Sequence, residues 1–204
     1  MPGVTINLAG GTEEEAEHFA ELMRLSAPEY FPSLLGEKFK EFFEIAFIEK
    51  GNLFSHEHVV FARYGEKVAG MLLSYSWKSK HNEEGKTGWL MMKVLGFDFL
   101  KRLPAFISAR SGSGKLDEND YYISNIAVYP EFRGKKIGKA LMLRAEGLAR
   151  ESGAERITLD VEMDNEIAIA VYKKLGYTIE REHEVELEGK RYGFYRMVKP
   201  LKGS

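Results

Sequence analysis

The 204-residue sequence contains no cysteine. That absence removes disulfides, thiolate metal sites and a cysteine nucleophile together. Charge of one sign is missing as well: 29 lysines and arginines stand against 31 aspartates and glutamates, a net charge of −2, so no global field favours nucleic acid. There is no long uninterrupted apolar run. The longest apolar tract, Trp89 to Ala109, is broken by Lys93, Asp98, Lys101, Arg102 and Pro104 and is not expected to span a membrane. The first residues, Met1-Pro2-Gly3-Val4-Thr5-Ile6-Asn7, lack the basic start and apolar core of a secretory signal. No internal repeat is visible. The expectation is a soluble cytoplasmic protein without metal, membrane or nucleic-acid partners. It should fold as one domain over residues 1–204, a length that buries roughly 70% of its unfolded surface.

What is present is an alternation of helical and strand periodicity. Thr12-x-x-Glu15 reads as a capping box opening a helix with Ala16, Phe19, Ala20 and Met23 on one stripe and an end before Pro28. A second helix is expected after Ser33, with Leu35, Phe39, Phe42, Phe43 and Ala46 on one face and a stop at Gly51-Asn52. Strands 59–64 and 68–75 flank Gly65-Glu66-Lys67 as a hairpin. A strand at 121–129 leads into a helix at 135–151, closed by Gly153. In the strand 156–162, Ile157, Leu159 and Val161 alternate with Thr158, Asp160 and Glu162. A C-terminal hairpin pairs 177–187 with 191–198 across Glu188-Gly189. The sum is an α/β fold with a mixed central sheet flanked by helices.

Residues 77–119 interrupt this order with a polar loop (Ser79–Gly88), an amphipathic stretch (Trp89–Ile107) and a flexible Ser111-Gly112-Ser113-Gly114 segment. Leu90, Val94, Leu95, Phe97, Phe99, Leu100, Leu103 and Phe106 need something to pack on. Two readings stand side by side: a surface helix packed on the core, or the wall or lid of a substrate pocket.

The chemistry concentrates in Ile126-Ala127-Val128-Tyr129-Pro130-Glu131-Phe132-Arg133-Gly134-Lys135-Lys136-Ile137-Gly138-Lys139, an apolar strand that passes through a small basic loop into a helix. Ile137, Ala140, Leu141, Ala145 and Leu148 set the helical stripe, so the loop amides lie at a helix N-terminus, where unpaired N–H groups and the dipole favour an anion. Taken alone, the stretch is either a phosphate cradle or an ordinary turn with a solvated basic face. A second segment begins 32 residues after Arg133: Asn165-Glu166-Ile167-Ala168-Ile169-Ala170-Val171-Tyr172-Lys173-Lys174-Leu175-Gly176-Tyr177.

Together the two segments resemble the acyl-CoA-dependent N-acetyltransferases of the GNAT superfamily. That family's cofactor loop reads Q/R-x-x-G-x-G/A, and its next helix carries N-x-x-A-x-x-x-Y-x-x-x-G-Y/F. The second pattern is complete; in the first, Arg133 and Gly138 fit, and Lys136 stands where the first glycine is expected. The match is strong from Tyr121 to Tyr177, weaker but consistent in element order from Val59 onward, and absent as a motif in the N-terminal third. The resemblance implies one GNAT-like domain with a helical insertion between its third and fourth strands. It also implies acetyl-CoA as co-substrate and direct attack by an acceptor amine on the thioester, without a covalent enzyme intermediate. A small-molecule amine is preferred as acceptor, because the insertion would narrow an open groove; a homodimer is compatible with the sequence.

By the same resemblance, backbone groups of Ile126, Ala127 and Val128 meet the pantetheine arm and polarise the carbonyl. Arg133, Gly134, Lys135, Lys136, Gly138 and Lys139 hold the pyrophosphate, Asn165 bonds the pantetheine region, and Tyr172 protonates the departing thiolate. If Lys136 takes positive φ, a non-glycine residue there costs roughly 1 to 2 kcal/mol. The strand from Tyr121 to Val128 has no carboxylate, so the general base is open: Glu162 is the first candidate, then Asp120 and His183, each also readable as a solvated surface charge. Tyr172 shares a stripe with Ala168, Val171 and Leu175, and without the resemblance it would read as a core tyrosine. The alternative function is a catalytically inactive CoA-binding sensor or interaction domain.

Overall fold

In the computed structural model, which describes residues 3–112, 116–187 and 189–201, the strands are β1 (Val4–Leu8), β2 (Val59–Tyr64), β3 (Lys67–Ser76), β4 (Asp120–Val128), β5 (Arg156–Glu162), β6 (Thr178–Leu187) and β7 (Lys190–Pro200). They form one sheet in the order β1-β2-β3-β4-β5-β7-β6. Every neighbouring pair is antiparallel except β4–β5, which is parallel. The helices are α1 (Glu13–Ser26), α2 (Tyr30–Leu35), α3 (Phe39–Ile48), α4 (Trp77–Leu95), α5 (Phe97–Gly112), α6 (Ile137–Glu151) and α7 (Glu166–Lys174).

Apolar residues run continuously through β2 and β3 because the sheet is covered on both faces. Val59 and Phe61 enter a core shared with α1, α3 and α4, while Val60 and Ala62 enter a second core shared with α6 and α7. The first core is rich in rings: Phe19, Phe42, Phe43, Phe47 and Phe61 are all buried in it. The expected capping box is present, with Thr12 Oγ1 accepting from the Glu15 amide at 3.2 Å. Glu15 Oε2 turns back to the amides of Gly10 and Gly11.

Four features differ from the sequence expectations. The N-terminal residues add an edge strand, β1. The second helix divides into α2 and α3 at Gly36, whose φ of 65° ends the first piece. Ser79–Gly88 is not a loop but the first part of α4, opened by Ser76 Oγ accepting from the Ser79 amide. It has no apolar stripe to betray it, because polar contacts hold it: His58 Nε2 meets Glu83 Oε2 at 2.7 Å, and Thr87 Oγ1 accepts from the Leu53 amide at 3.0 Å. In the fourth, Ser111 and Gly112 end α5 rather than form a flexible linker; Ser113, Gly114 and the turn residue Glu188 lie outside the described residues.

The insertion is thus a helical pair between β3 and β4. Leu90, Val94 and Leu95 of α4 are buried in the first core, and Arg102 of α5 donates to the Ser33 carbonyl in α2. No helix among the described residues is long and apolar enough to cross a membrane.

Candidate active site

β4 and β5 share a ladder only from Asp120–Arg156 to Ile123–Leu159 and then separate, although β4 continues to Val128 and β5 to Glu162. Two local features steer β4 away. Ser124 is an extra residue opposite the Leu73/Ser74 step of β3, a β-bulge that bends and twists the strand. Further along, a Cβ on Gly70 would lie 2.6 Å from the Ala127 carbonyl oxygen, so only glycine lets β3 press this closely on β4. The bulge is tied down: Ser124 Oγ donates to Asn125 Oδ1 at 2.8 Å, and Asn125 Nδ2 donates to Ser26 Oγ at the end of α1.

Pairing parity then decides where the free amides point. Tyr129 donates to the Ala69 carbonyl at 3.0 Å. In this antiparallel register Ala127 and Asn125 therefore also face β3, while Ile126 and Val128 occupy the alternate positions, with their N–H groups directed into the gap. Backbone donors are aligned along an opening that no neighbouring strand fills.

The opening leads into a cavity of about 470 Å³ that passes between the two faces of the sheet. Of the sequence-derived candidates, Ile126, Ala127, Val128, Arg133, Glu162, Asn165, Tyr172 and His183 line it. Gly134, Lys135, Lys136, Gly138 and Lys139 lie outside the cavity lining, on the loop and first turn of α6. Asp120 is elsewhere. It is buried at the start of β4 and closes a two-point ion pair with Arg156, Nε to Oδ1 at 2.9 Å and Nη2 to Oδ2 at 3.1 Å. That pairing and position make it a structural carboxylate.

On the α6–α7 side stand the cofactor candidates. Lys136 caps α6 in a left-handed conformation, φ 61° and ψ 15°, and is the only non-glycine residue with positive φ among the described residues. The first helical bond is Ala140 N–H to the Lys136 carbonyl, so the amides of Ile137, Gly138 and Lys139 are free at the helix start. The helix begins two residues later than the sequence suggested. Lys135 turns aside, its Nζ 5.1 Å from the centre of the Tyr64 ring. Asn165 caps α7: its Oδ1 accepts from the Ala168 amide at 3.1 Å, leaving Nδ2 as its remaining donor. Tyr172 packs against Tyr177 at 6.0 Å between ring centres. Its hydroxyl makes no hydrogen bond to the described residues, and burial pushes its pKa up to about 12. It is both a partly buried core residue and part of the cavity wall.

On the α1–α2 side, Glu162, Phe194 and His183 form one cross-strand row through β5, β7 and β6. Burial is the main force raising the Glu162 carboxyl; Asp164 and Glu29 add to it, and Lys190 opposes it. His183 stacks on Phe194 at 5.4 Å, its Nδ1 is buried without a hydrogen-bond partner among the described residues, and burial lowers its pKa. The next row is Asp160 and Arg196. Arg196 donates from Nε to Oδ1 at 2.5 Å and from Nη2 to Oδ2 at 2.8 Å, and Tyr122 adds its hydroxyl to Oδ2 at 3.0 Å.

The profile of the acetyltransferase (GNAT) family matches residues 19–177, more than half of the sequence. The chain belongs to that family. This GNAT chain is 41% identical over 58 residues to a Bacillus subtilis (strain 168) protein provisionally named [ribosomal protein bS18]-alanine N-acetyltransferase, covering 28% of this chain and 38% of that one. It is 40% identical over 85 residues to the mycothiol acetyltransferase of Saccharomonospora viridis, covering 42% of this chain and 26% of that one. Each match therefore spans well under half of the relative's length.

Two solved structures match over nearly the whole chain. The N-acetyltransferase from Staphylococcus aureus Mu50 gives a TM-score of 0.70 at 19% identity, covering 96% of the GNAT chain and 100% of that structure. A Bacillus subtilis acetyltransferase solved in complex with CoA gives 0.57 at 16% identity, covering 98% and 100%. At these identities the likeness is one of fold, a mixed α/β domain.

Sequence reasoning missed Tyr30, Phe31, Tyr75, Tyr122, Asp160 and Arg196 as cavity residues. Asp160 and Glu162 had been read on one side of β5, and their shared parity was the only available signal. The partners of that face come from distant strands and could not be inferred from local spacing.

Proposed function

We propose that this chain transfers an acetyl group from acetyl-CoA to the primary amine of a small molecule by direct attack. The observation that carries the reading is the β4–β5 gap: the unpaired amides of Ile126 and Val128 run along it, and the cavity it opens into is lined by Arg133 of the basic loop, Asn165 and Tyr172. The pantetheine arm would lie in the gap as a surrogate strand, with its pyrophosphate at the amides of Ile137, Gly138 and Lys139 and beside Arg133 and Lys136. Asn165 Nδ2 would reach the arm from the opposite wall. The thioester carbonyl would then meet a backbone donor that is already oriented, so stabilising the developing oxyanion needs no reorganisation.

An acceptor amine enters as ammonium, with a pKa near 10. In this reading Glu162 takes its proton, directly or through water. A carboxylate raised by burial is better matched to that task than an exposed one. The neutral amine attacks the carbonyl carbon, the C–S bond breaks, and the second ammonium proton leaves with the departing sulfur as the CoA thiol, after which Glu162 returns its proton to solvent. Tyr172, pushed up to about 12, keeps its proton at neutral pH and offers it to the thiolate. Against a thiol pKa near 8.5 complete transfer is uphill, so its contribution is a hydrogen bond that strengthens as charge builds on sulfur.

CoA release measured at steady state across a panel of primary amines tests the proposal. Amine-dependent release supports it. Thermal stabilisation by acetyl-CoA with no release for any amine would instead favour a CoA-binding sensor.

A further inference from the structure

The acceptor side of the cavity carries more chemistry than transfer of one proton requires. Its walls are rings: Tyr30, Phe31, Tyr75, Tyr122 and Phe194, with the His183 imidazole. They hold one another in place. Tyr30 meets Phe31 edge-on at 5.4 Å and Phe194 at 5.8 Å, Phe194 stacks on His183, and Tyr75 lies 5.7 Å from Tyr122. Such a box presents flat apolar faces whose rotamers are already fixed, which lowers the ordering cost of binding a ring.

Charge on this side points the same way. Arg196 is committed to Asp160 in a two-point pair, and Lys80 is paired with Glu84 at 3.1 Å. Glu162 makes no ion pair among the described residues; the carboxylates of Asp164 and Glu29 act on it more strongly than the opposing Lys190, which is itself paired with Glu29. A cation is welcome here, whereas an acceptor carrying its own carboxylate meets like charge, since Arg133, the remaining cation lining the cavity among the described residues, stands on the cofactor side.

Extended chains are disfavoured by the way α2 is fastened to β7. Tyr30 packs edge-on to Tyr192 at 5.9 Å, the Ser33 and Tyr192 hydroxyls are 3.4 Å apart, and Glu29 pairs with Lys190. These contacts tie the α1–α2 segment to the last hairpin beside the cavity and leave less room for an extended chain to pass between them.

Resting on the acetyl-transfer reading above, we propose that the acceptor is a small arylalkylamine: a primary amine on a short chain bearing an aromatic ring and no carboxylate. The ring occupies the box around Phe194 and Tyr30, and the ammonium faces Glu162.

The test is a kcat/KM series with acetyl-CoA and 2-phenylethylamine, ethylamine, L-phenylalanine, or a short peptide with an N-terminal alanine. 2-Phenylethylamine should exceed ethylamine by on the order of 10-fold or more, through burial of the ring. It should exceed L-phenylalanine by about 10²-fold, through like-charge repulsion. Phe194→Leu should erase most of the ring's advantage, read as the ratio of 2-phenylethylamine to ethylamine within the same variant, and Glu162→Gln should narrow the ratio of 2-phenylethylamine to L-phenylalanine even as both slow. If Phe194→Leu does not fold, the wild-type series decides alone. L-phenylalanine or the peptide equalling 2-phenylethylamine, or a ring that brings no advantage, would overturn the arylalkylamine assignment while leaving acetyl transfer intact. No CoA release with any amine, despite a thermal shift with acetyl-CoA, would overturn both.

Discussion

Ile123 of β4 and Leu159 of β5 are the last residues at which the two parallel strands pair. Beyond them the sheet opens, and everything proposed for catalysis is arranged around that opening. The geometry comes from Ser124, the bulge residue, and from Gly70, which lets β3 draw β4 towards itself.

Tyr172→Phe keeps the ring and removes only the hydroxyl. Turnover at saturating substrates should fall by about 10²-fold with little change in acetyl-CoA affinity, because the lost hydrogen bond is made to a charge that exists only late in the reaction. The hydroxyl has no partner among the described residues, so the melting temperature should stay nearly constant. Near wild-type kcat, with chemistry shown to be rate-limiting, would remove Tyr172 from the mechanism.

Lys136 holds a left-handed conformation without being glycine. Lys136→Gly should raise stability by up to about 1 kcal/mol, the relief of backbone strain less the extra freedom glycine has when unfolded. If the ammonium also meets phosphate, acetyl-CoA affinity should weaken in the same variant. Calorimetric unfolding and a binding titration on one preparation separate the two effects; a loss of both stability and affinity would mean the side chain holds the fold rather than the cofactor.

Glu162 has a folded-state pKa above its ordinary value. A carboxyl raised in this way contributes stability below its unfolded pKa and loses that contribution as pH rises through the folded one, so Glu162→Gln should not destabilise the protein at neutral pH. Activity runs in the opposite direction. The basic form exists only above the raised pKa, so the acid limb of the kcat profile should lie above the ordinary carboxylate range and vanish in Glu162→Gln. An unchanged profile in the variant would assign the limb to another group, with His183 the neighbouring titratable side chain in the same row.

The motif helix was legible because its pattern is local: Asn165 caps the helix it begins, and Tyr172 follows two turns later on the same segment. The acceptor side was not. Asp160 meets Arg196, and Glu162 meets His183 across Phe194, only after β7 has inserted between β5 and β6. β1 escaped notice although Val4, Ile6 and Leu8 alternate with Thr5 and Asn7, because the strand is only five residues long and largely exposed at the sheet edge. The first half of α4 did so because polar contacts to Leu53 and His58 replace the apolar stripe that marks a buried helix face.

Two stability tests follow from packing. Asp160→Ala leaves the Arg196 guanidinium buried without its two-point partner and should cost about 3 to 5 kcal/mol. Leu90→Ala empties a fully buried site in the first core and should cost about 2 to 5 kcal/mol. Denaturant unfolding measures both. A loss under about 1 kcal/mol for Leu90→Ala would show that α4 is only loosely docked on the first core.

The most direct measurement is rapid-quench kinetics with acetyl-CoA, with and without 2-phenylethylamine, following free CoA and the N-acetylated amine together. Direct attack in the β4–β5 gap requires CoA and acetylated amine to appear one for one when amine is present, and neither a CoA burst nor an acetylated enzyme when it is absent. A stoichiometric burst without amine would contradict direct transfer, and the absence of product under every condition would contradict transfer itself.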